Sequence, residues 1–297
     1  MIDEPDRLAV AMAGELGEHR GRPTAEQCAE WLDGLGEDDT WTVVSRLPYR
    51  RLTHLLLHRD DDGGIDVVRH HPSGATMTTV EDMAAAARLA VDWARDAPGR
   101  DAGITWAAMD PTPAEQLSEL EAAIRTEIDQ GYSDFDEISE SATEVLDEPD
   151  EVEQHHVDAI LVALWHTRLA EQATWPDRTD PDRVTDAFAA LTADGITAME
   201  HFACCLRCGT GEIGAESRPG DTGYVFFHYQ DTERAVFDGE LMVAFGSHDG
   251  DREVTAEVGR RAVAALTEQG LTVQWDGDVS RRIAVTGLTW RKRLEDT

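Results

Sequence analysis

The N-terminal third of the chain mixes helical and strand-like spacing of its apolar residues. Residues 5–36 carry apolar positions at helical intervals and predict two short helices. Compact apolar runs follow and predict three strands, at 40–47, 51–58 and 65–71. The aspartate-glycine segment 60–64 predicts a hairpin loop between the last two strands, which would place His54 opposite His70.

A helix is predicted after these strands, because alanine-rich sequence follows Thr79 and stops at Pro98-Gly99. Thr79 is the expected N-cap. The proline-containing segment 109–113 then predicts a linker, since two prolines disfavour both helix and strand. We therefore expect residues 1–109 to form a small α+β domain, a β-meander packed with helices.

Residues 114–194 have helical spacing throughout. Gly131 ends the first run of helically spaced apolar residues. Ser133 and Asp136 predict a capping box, and Asp180-Pro181 predicts the start of the last helix. The apolar stripes consist of Leu117, Leu120, Ile124 and Ile128, and then of Val152, His156, Ile160, Ala163, Leu164 and Thr167. This segment is expected to be entirely helical.

The last hundred residues return to mixed elements. Apolar runs at 223–230 and 240–246 predict strands, and 251–270 has one apolar helical face. The runs 271–275 and 282–290 flank an Asp-Gly-Asp turn and predict an antiparallel hairpin. The predicted fold class is α+β, with a second domain over 114–297 that joins the helical segment to a mixed sheet covered by helices.

Several stretches carry a resemblance to a known family. They include "EIDQGYSDFDEI", "ATWPDRTDPDRVTDAFAALTADGI", "GYVFFHYQDTERA", "GELMVAFGS" and "GLTVQWDG" with "RIAVTGLTW". Together they make the region from about 115 to 293 similar to an uncharacterised bacterial domain family, seen mostly in actinobacterial proteins. The resemblance implies a shared fold and transfers no activity.

Acidic residues dominate the charge of the chain. Sixty Asp and Glu oppose 26 Lys and Arg, giving a net charge of −34, and residues 110–158 contain 17 acidic residues and one basic residue. Such a surface repels nucleic-acid phosphates and anionic membranes, so we expect neither partner. A basic protein is the partner that this charge favours. The acidic N-terminus lacks the pattern of a secretory signal, and the expected location is the cytoplasm.

One segment, "HFACCLRCGTG" at 201–211, gathers potential metal ligands: His201, Cys204, Cys205 and Cys208. The Cys205-x-x-Cys208-Gly spacing has the form of a zinc knuckle, and His228 could complete a site. Adjacent cysteines point apart in an extended chain, so we do not expect all four ligands to converge. A redox pair and buried free thiols are the alternatives.

A second candidate site follows a predicted strand, at "FFHYQDTER". His228, Gln230, Asp231 and Glu233 lie where the strand ends, a common position for polar binding groups. The alternative is structural: Asp231 would cap a short helix and His228 would make one hydrogen bond.

Other histidines occur in pairs. His54 and His70 could bind a metal across their strands, or be exposed strand residues. His155 and His156 are expected at the surface and edge of an acidic helix.

Phosphate-binding, dinucleotide-binding, nucleophile-elbow and kinase motifs do not occur in the sequence, which disfavours an enzyme. The leading hypothesis is a non-catalytic, acidic binding or regulatory protein with no cofactor. The alternative is a metal-stabilised domain or metal-dependent hydrolase that uses zinc with Cys205, Cys208 and His228. A third is an immunity-type protein that neutralises a toxin. Nothing in the sequence indicates an oligomeric state.

Overall fold

The computed structural model describes residues 6–35, 40–59, 64–109, 114–146 and 152–295. The predicted hairpin loop and most of the predicted linker lie outside these ranges. The backbone groups into two compact units: unit 1, which comprises residues 1–128, 133–173 and 295–297, and unit 2, which comprises 129–132 and 174–294. The sequence predicts the domain boundary at 109–114. In the structure, by contrast, the helices up to residue 173 belong largely to the same unit as the N-terminal sheet. The predicted α+β class is confirmed.

Unit 1 is built on an antiparallel sheet. Its elements, in chain order, are β1 (Val10–Gly14), β2 (His19–Gly21), α1 (Ala25–Asp33), β3 (Trp41–Arg46), β4 (His54–Arg59), β5 (Ile65–His71), β6 (Gly74–Val80), α2 (Met83–Ala94), β7 (Ala107–Met109), α3 (Ala114–Gln130, whose last two residues group with unit 2), α4 (Phe135–Ser141) and α5 (Gln154–Gln172). The strand order is β2-β1-β3-β4-β5-β6-β7, in which β3 to β7 form a meander. His54 stands opposite His70, as predicted.

Helices cover both faces of this sheet. Alternate side chains of β4, Leu55 and Leu57, belong to a core with residues of α1 and α2. On β3, the Ser45 hydroxyl donates to the Ala159 carbonyl of α5 at 2.7 Å. Because strands that are buried on both faces carry apolar residues at every position, they lack the alternation that marks a half-exposed strand.

The start of unit 1 differs from the prediction. The first of the two expected helices is wrong, because residues 10–14 form β1, which pairs with β2 and β3 and is buried at all five positions. Thr79 does not cap α2 but lies on β6. Asp82 is the N-cap, and its carboxylate accepts from the Ala85 amide at 2.7 Å.

The helix α5 also departs from its predicted one-sided stripe. Residues 155–165 are buried almost without interruption, because α5 contacts β1, β2 and β3 as well as α4. The surface position predicted for His155 and His156 is therefore wrong: both are buried. At α4 the capping box is formed by Asp134 and Glu137, one residue after the predicted pair.

Unit 2 contains a mixed five-stranded sheet with order β11-β12-β10-β9-β8, in which only the β8–β9 pair is parallel among the described strands. The predicted antiparallel hairpin is β11 with β12. Its elements are α6 (Asp180–Ala193), β8 (Thr197–Met199), α7 (Leu206–Glu212), β9 (Gly223–Phe226), α8 (Tyr229–Asp238), β10 (Glu240–Ser247), α9 (Arg252–Glu268), β11 (Thr272–Gln274) and β12 (Ile283–Thr286).

Two cores hold unit 2 together. The larger lies between the sheet and the helices α6 and α9. The smaller packs Ile213, which follows α7, on Phe226 and Ala244 of the sheet. Thr179, not Asp180, caps α6. No helix among the described residues of either unit is long and apolar enough to cross a membrane.

Candidate functional site

Three thiols converge at the start of α7. The sulfur atoms of Cys204, Cys205 and Cys208, here called the thiol triad, all lie within 4.8 Å of one another. Cys205 is the N-cap of α7 and Cys208 lies in its first turn, which brings the two sulfurs to one side of the segment. Cys204 is exposed and the other two are half-buried, so a ligand can reach the triad from solvent.

Contacts with β9 and with the start of α8 position this segment. The Phe202 amide donates to the Phe227 carbonyl at 2.8 Å, and the Tyr229 amide donates to the Ala203 carbonyl at 3.2 Å. Gly209 is buried against Phe226, where a Cβ atom would come within 2.4 Å of the ring. The triad is thus supported by the sheet rather than carried on a free loop.

Two thiols of the triad, those of Cys205 and Cys208, differ in acidity. Hydrogen bonds from the Cys208 amide, and then from the Cys208 thiol, lower the pKa of Cys205. Thiol hydrogen bonds with Cys204 and Cys205 raise the pKa of Cys208 to about 12. Cys205 therefore ionises more easily than Cys208, and its thiolate is the form that binds metals and attacks electrophiles.

His201, the fourth predicted ligand, does not join the triad. Its ring lies between Tyr132 and Tyr229, with centroids at 4.4 and 4.2 Å, and Nδ1 lies 2.8 Å from the Thr232 hydroxyl oxygen. Burial, and then the charge of Lys292, lower the pKa of His201 to about 4. In the part of the chain that the structure describes, the triad gains no histidine or carboxylate ligand.

The second predicted set separates into buried and exposed residues. His228 caps α8, its Nε2 lies 3.0 Å from Asp231 Oδ2, and both side chains are buried. Arg282, the residue immediately before β12, donates to both carboxylate oxygens of Asp231, at 2.8 and 2.9 Å. Gln230 and Glu233 are exposed. The arrangement is that of an internal ion pair, and sequence reasoning did not single out Arg282.

A third group of potential ligands lies in unit 1 and was not predicted as one site. The histidine cluster consists of His54 and His70 of the sheet and His155 and His156 of α5. One nitrogen from each of His70, His155 and His156 lies within 4.8 Å of the others. Burial lowers the pKa of His70 and His156 to about 4 and that of His155 to about 2, so these rings are neutral at neutral pH.

Neither pair alone predicted this cluster. The cross-strand pair followed from the hairpin register, but its contact with α5 joins segments about 85 residues apart. The sequence feature that could have indicated burial of these rings was the pair of adjacent histidines on a helix, directly before the apolar run "VDAILVALW".

Comparison with known proteins identifies a family for most of the chain. No curated protein and no solved structure is significantly similar to it. Residues 113–294 match the family model described as a domain of unknown function, DUF6891. This match covers more than half of the 297 residues, and the chain therefore belongs to this uncharacterised family.

Proposed function

We propose that the protein binds a thiophilic metal ion through the thiol triad. The observation that supports this most strongly is the convergence of three sulfur atoms within 4.8 Å on a segment anchored to the sheet. Thiolates are the ligands that zinc and Cu(I) prefer in proteins. Three sulfurs would leave one coordination position of zinc open to a small molecule or to a residue of a partner.

The proposed role is metal binding rather than hydrolysis. A hydrolytic zinc site needs a general base beside the metal-bound water. Within the described ranges, the triad gathers no carboxylate or imidazole, and Nε2 of His228 contacts Asp231 and Arg282. The open side of the triad suits uptake and release of an ion.

The experiment is a cobalt titration of the reduced, metal-free full chain, because Co²⁺ occupies zinc sites and thiolate ligands give an intense near-ultraviolet absorption. We expect this absorption to grow as Co²⁺ is added and to saturate when one ion is bound by the triad. Cys205→Ser and Cys208→Ser should weaken binding at least about tenfold, which corresponds to about 1.4 kcal/mol. Cys28→Ser is the matched control, since Cys28 is a buried free thiol in unit 1.

A titration without thiolate absorption would contradict the proposal. Equal affinities for Cys205→Ser and Cys28→Ser would contradict it as well. Zinc competition should displace the cobalt, because both ions take the same ligands.

A second candidate is thiol–disulfide exchange by Cys205 and Cys208. The lowered pKa of Cys205 and the raised pKa of Cys208 favour it, since such exchange needs one thiolate and one resolving thiol. A measured reduction potential in the range of redox proteins, together with no metal binding, would favour this candidate over the first. A basic partner and an immunity role stay predictions from the charge, and a cytoplasmic location stays a prediction from the N-terminal sequence.

A further inference from the structure

The histidine cluster is an arrangement of neutral imidazoles in the interior of unit 1. The rings of His54 and His70 stack at 4.3 Å with an angle of 14° between their planes. The ring of His156 meets the ring of His70 edge-on at 5.1 Å, and the ring of His155 lies 5.9 Å from it. Neutral imidazole nitrogen is the commonest metal ligand in proteins.

Two nitrogens of the cluster lack a hydrogen-bond partner. His54 is only 3% exposed, and its Nε2 makes no hydrogen bond within the described structure. The same is true of Nε2 of His70. An unsatisfied buried polar group costs about 1–3 kcal/mol, so the position of His70 beside two more histidines is costly unless something else binds its ring.

The orientation of His155 supports metal binding further. Its Nδ1 lies 3.4 Å from the Glu153 carboxylate, which leaves Nε2 for another partner. A carboxylate on the second ring nitrogen is the usual support of a metal-binding histidine, because it fixes the tautomer and the ring orientation.

We infer that His70, His155 and His156 form a second metal site, which takes a transition-metal ion of zinc type. The nitrogens of a tetrahedral zinc site lie about 3.4 Å apart, because zinc–nitrogen bonds are about 2.0–2.1 Å long. Metal binding would therefore bring the three nitrogens, which lie within 4.8 Å of one another, closer together by at most about 1.4 Å. His54 is a positioning residue whose ring packs face to face on His70.

One ligand of the proposed site lines a cavity. His70 lines a cavity of about 620 Å³ together with Arg46, Arg69 and Arg100. His155 and His156 do not line this cavity and are buried. The proposed site differs chemically from the thiol triad: both kinds of ligand bind zinc, but imidazole also suits nickel, Cu(II) and iron, whereas thiolates also suit Cu(I).

The test uses the full chain with Cys204, Cys205 and Cys208 all changed to serine, which removes the triad and leaves the histidines. We expect this variant to bind one equivalent of Co²⁺ with visible d–d bands and no thiolate absorption. Zn²⁺ should raise its Tm. Adding His70→Gln or His155→Gln should weaken binding at least about tenfold, that is by about 1.4 kcal/mol. Adding His71→Gln should not, because His71 is exposed and hydrogen-bonds Ser73.

The outcomes separate the two metal sites. If the serine variant binds no metal, the histidine site is refuted and the triad is not affected. If the serine variant binds cobalt as the wild type does and shows the same thiolate absorption, metal binding by the triad is refuted instead. If a glutamine variant does not fold, the X-ray absorption spectrum of zinc bound to the serine variant replaces it. Scattering from imidazole rings around the zinc would support the histidine site. Coordination by oxygen atoms alone would overturn it.

Discussion

His228 Nε2 lies 3.0 Å from Asp231 Oδ2, and Arg282 donates to the same carboxylate. Histidine and aspartate three residues apart would serve equally well as a binding pair at a surface. Here both are buried at the first turn of α8, where Asp231 also accepts the His228 amide. The network therefore joins α8 to the residue that precedes β12 and stabilises the fold of unit 2.

Arg282→Gln should destabilise unit 2 strongly, because it removes the cation that compensates a carboxylate only 3% exposed. Breaking a buried ion pair on one side costs about 3–5 kcal/mol. Urea unfolding followed by tryptophan fluorescence measures the change. Arg281→Gln is the matched control, since the Arg281 side chain is 70% exposed and should change the free energy of unfolding by less than about 1 kcal/mol. Similar values for the two variants would contradict this account of Asp231.

Gly209→Ala should destabilise α7, because the added Cβ would overlap the Phe226 ring. Overpacking of this kind costs about 1–3 kcal/mol, and movement of α7 should also weaken metal binding by the triad. Gly211→Ala is the control in the same helix. Its Cβ would meet no atom within 4 Å, and alanine favours a helix by up to about 1 kcal/mol over glycine. Thermal melts of both variants, with and without Zn²⁺, test this; a harmless Gly209→Ala would show that α7 does not rest on Phe226.

His201 should make unit 2 less stable in acid. Its pKa is about 4 in the folded protein against an ordinary value of 6.5, so the unfolded chain takes up the proton that the native state excludes. The stability is complete above about pH 6.5 and is lost progressively as the pH falls towards about 4.

The expected loss from this one group is about 2 kcal/mol between about pH 7 and about pH 5. His201→Gln should abolish that part of the pH dependence in metal-free, reduced protein, whereas His71→Gln should leave it unchanged. Parallel pH profiles for wild type and His201→Gln would show that His201 is not shielded from protons.

Much of the fold could be predicted from the sequence. The helix α9 and the β11–β12 hairpin expose one face, so their apolar residues recur at a regular spacing. The spacing is lost in β1 and α5, which are buried on several sides, and there the predictions were wrong. The capping residues of α4 and α6 were displaced by one position because neighbouring polar residues compete for the same cap.

The candidate sites were predictable only in part. The spacing of the cysteines indicated a candidate site. Their convergence, however, depends on the hydrogen bond from the Phe202 amide to the Phe227 carbonyl and on the contact of Gly209 with Phe226, and the sequence reveals neither. The same holds for the histidine cluster, where α5 brings two rings to a strand pair far away in the chain.

The most direct test of the central claim is residue-resolved alkylation of the native, reduced chain with and without Zn²⁺, mapped by peptide mass spectrometry. Without metal, Cys204 and Cys205 should react fastest, because Cys204 is exposed and Cys205 has the lowered pKa. Zinc should protect Cys204, Cys205 and Cys208 together, with no effect on buried Cys28. Alkylation of the three cysteines at the same rates in the presence of zinc would contradict metal binding by the triad.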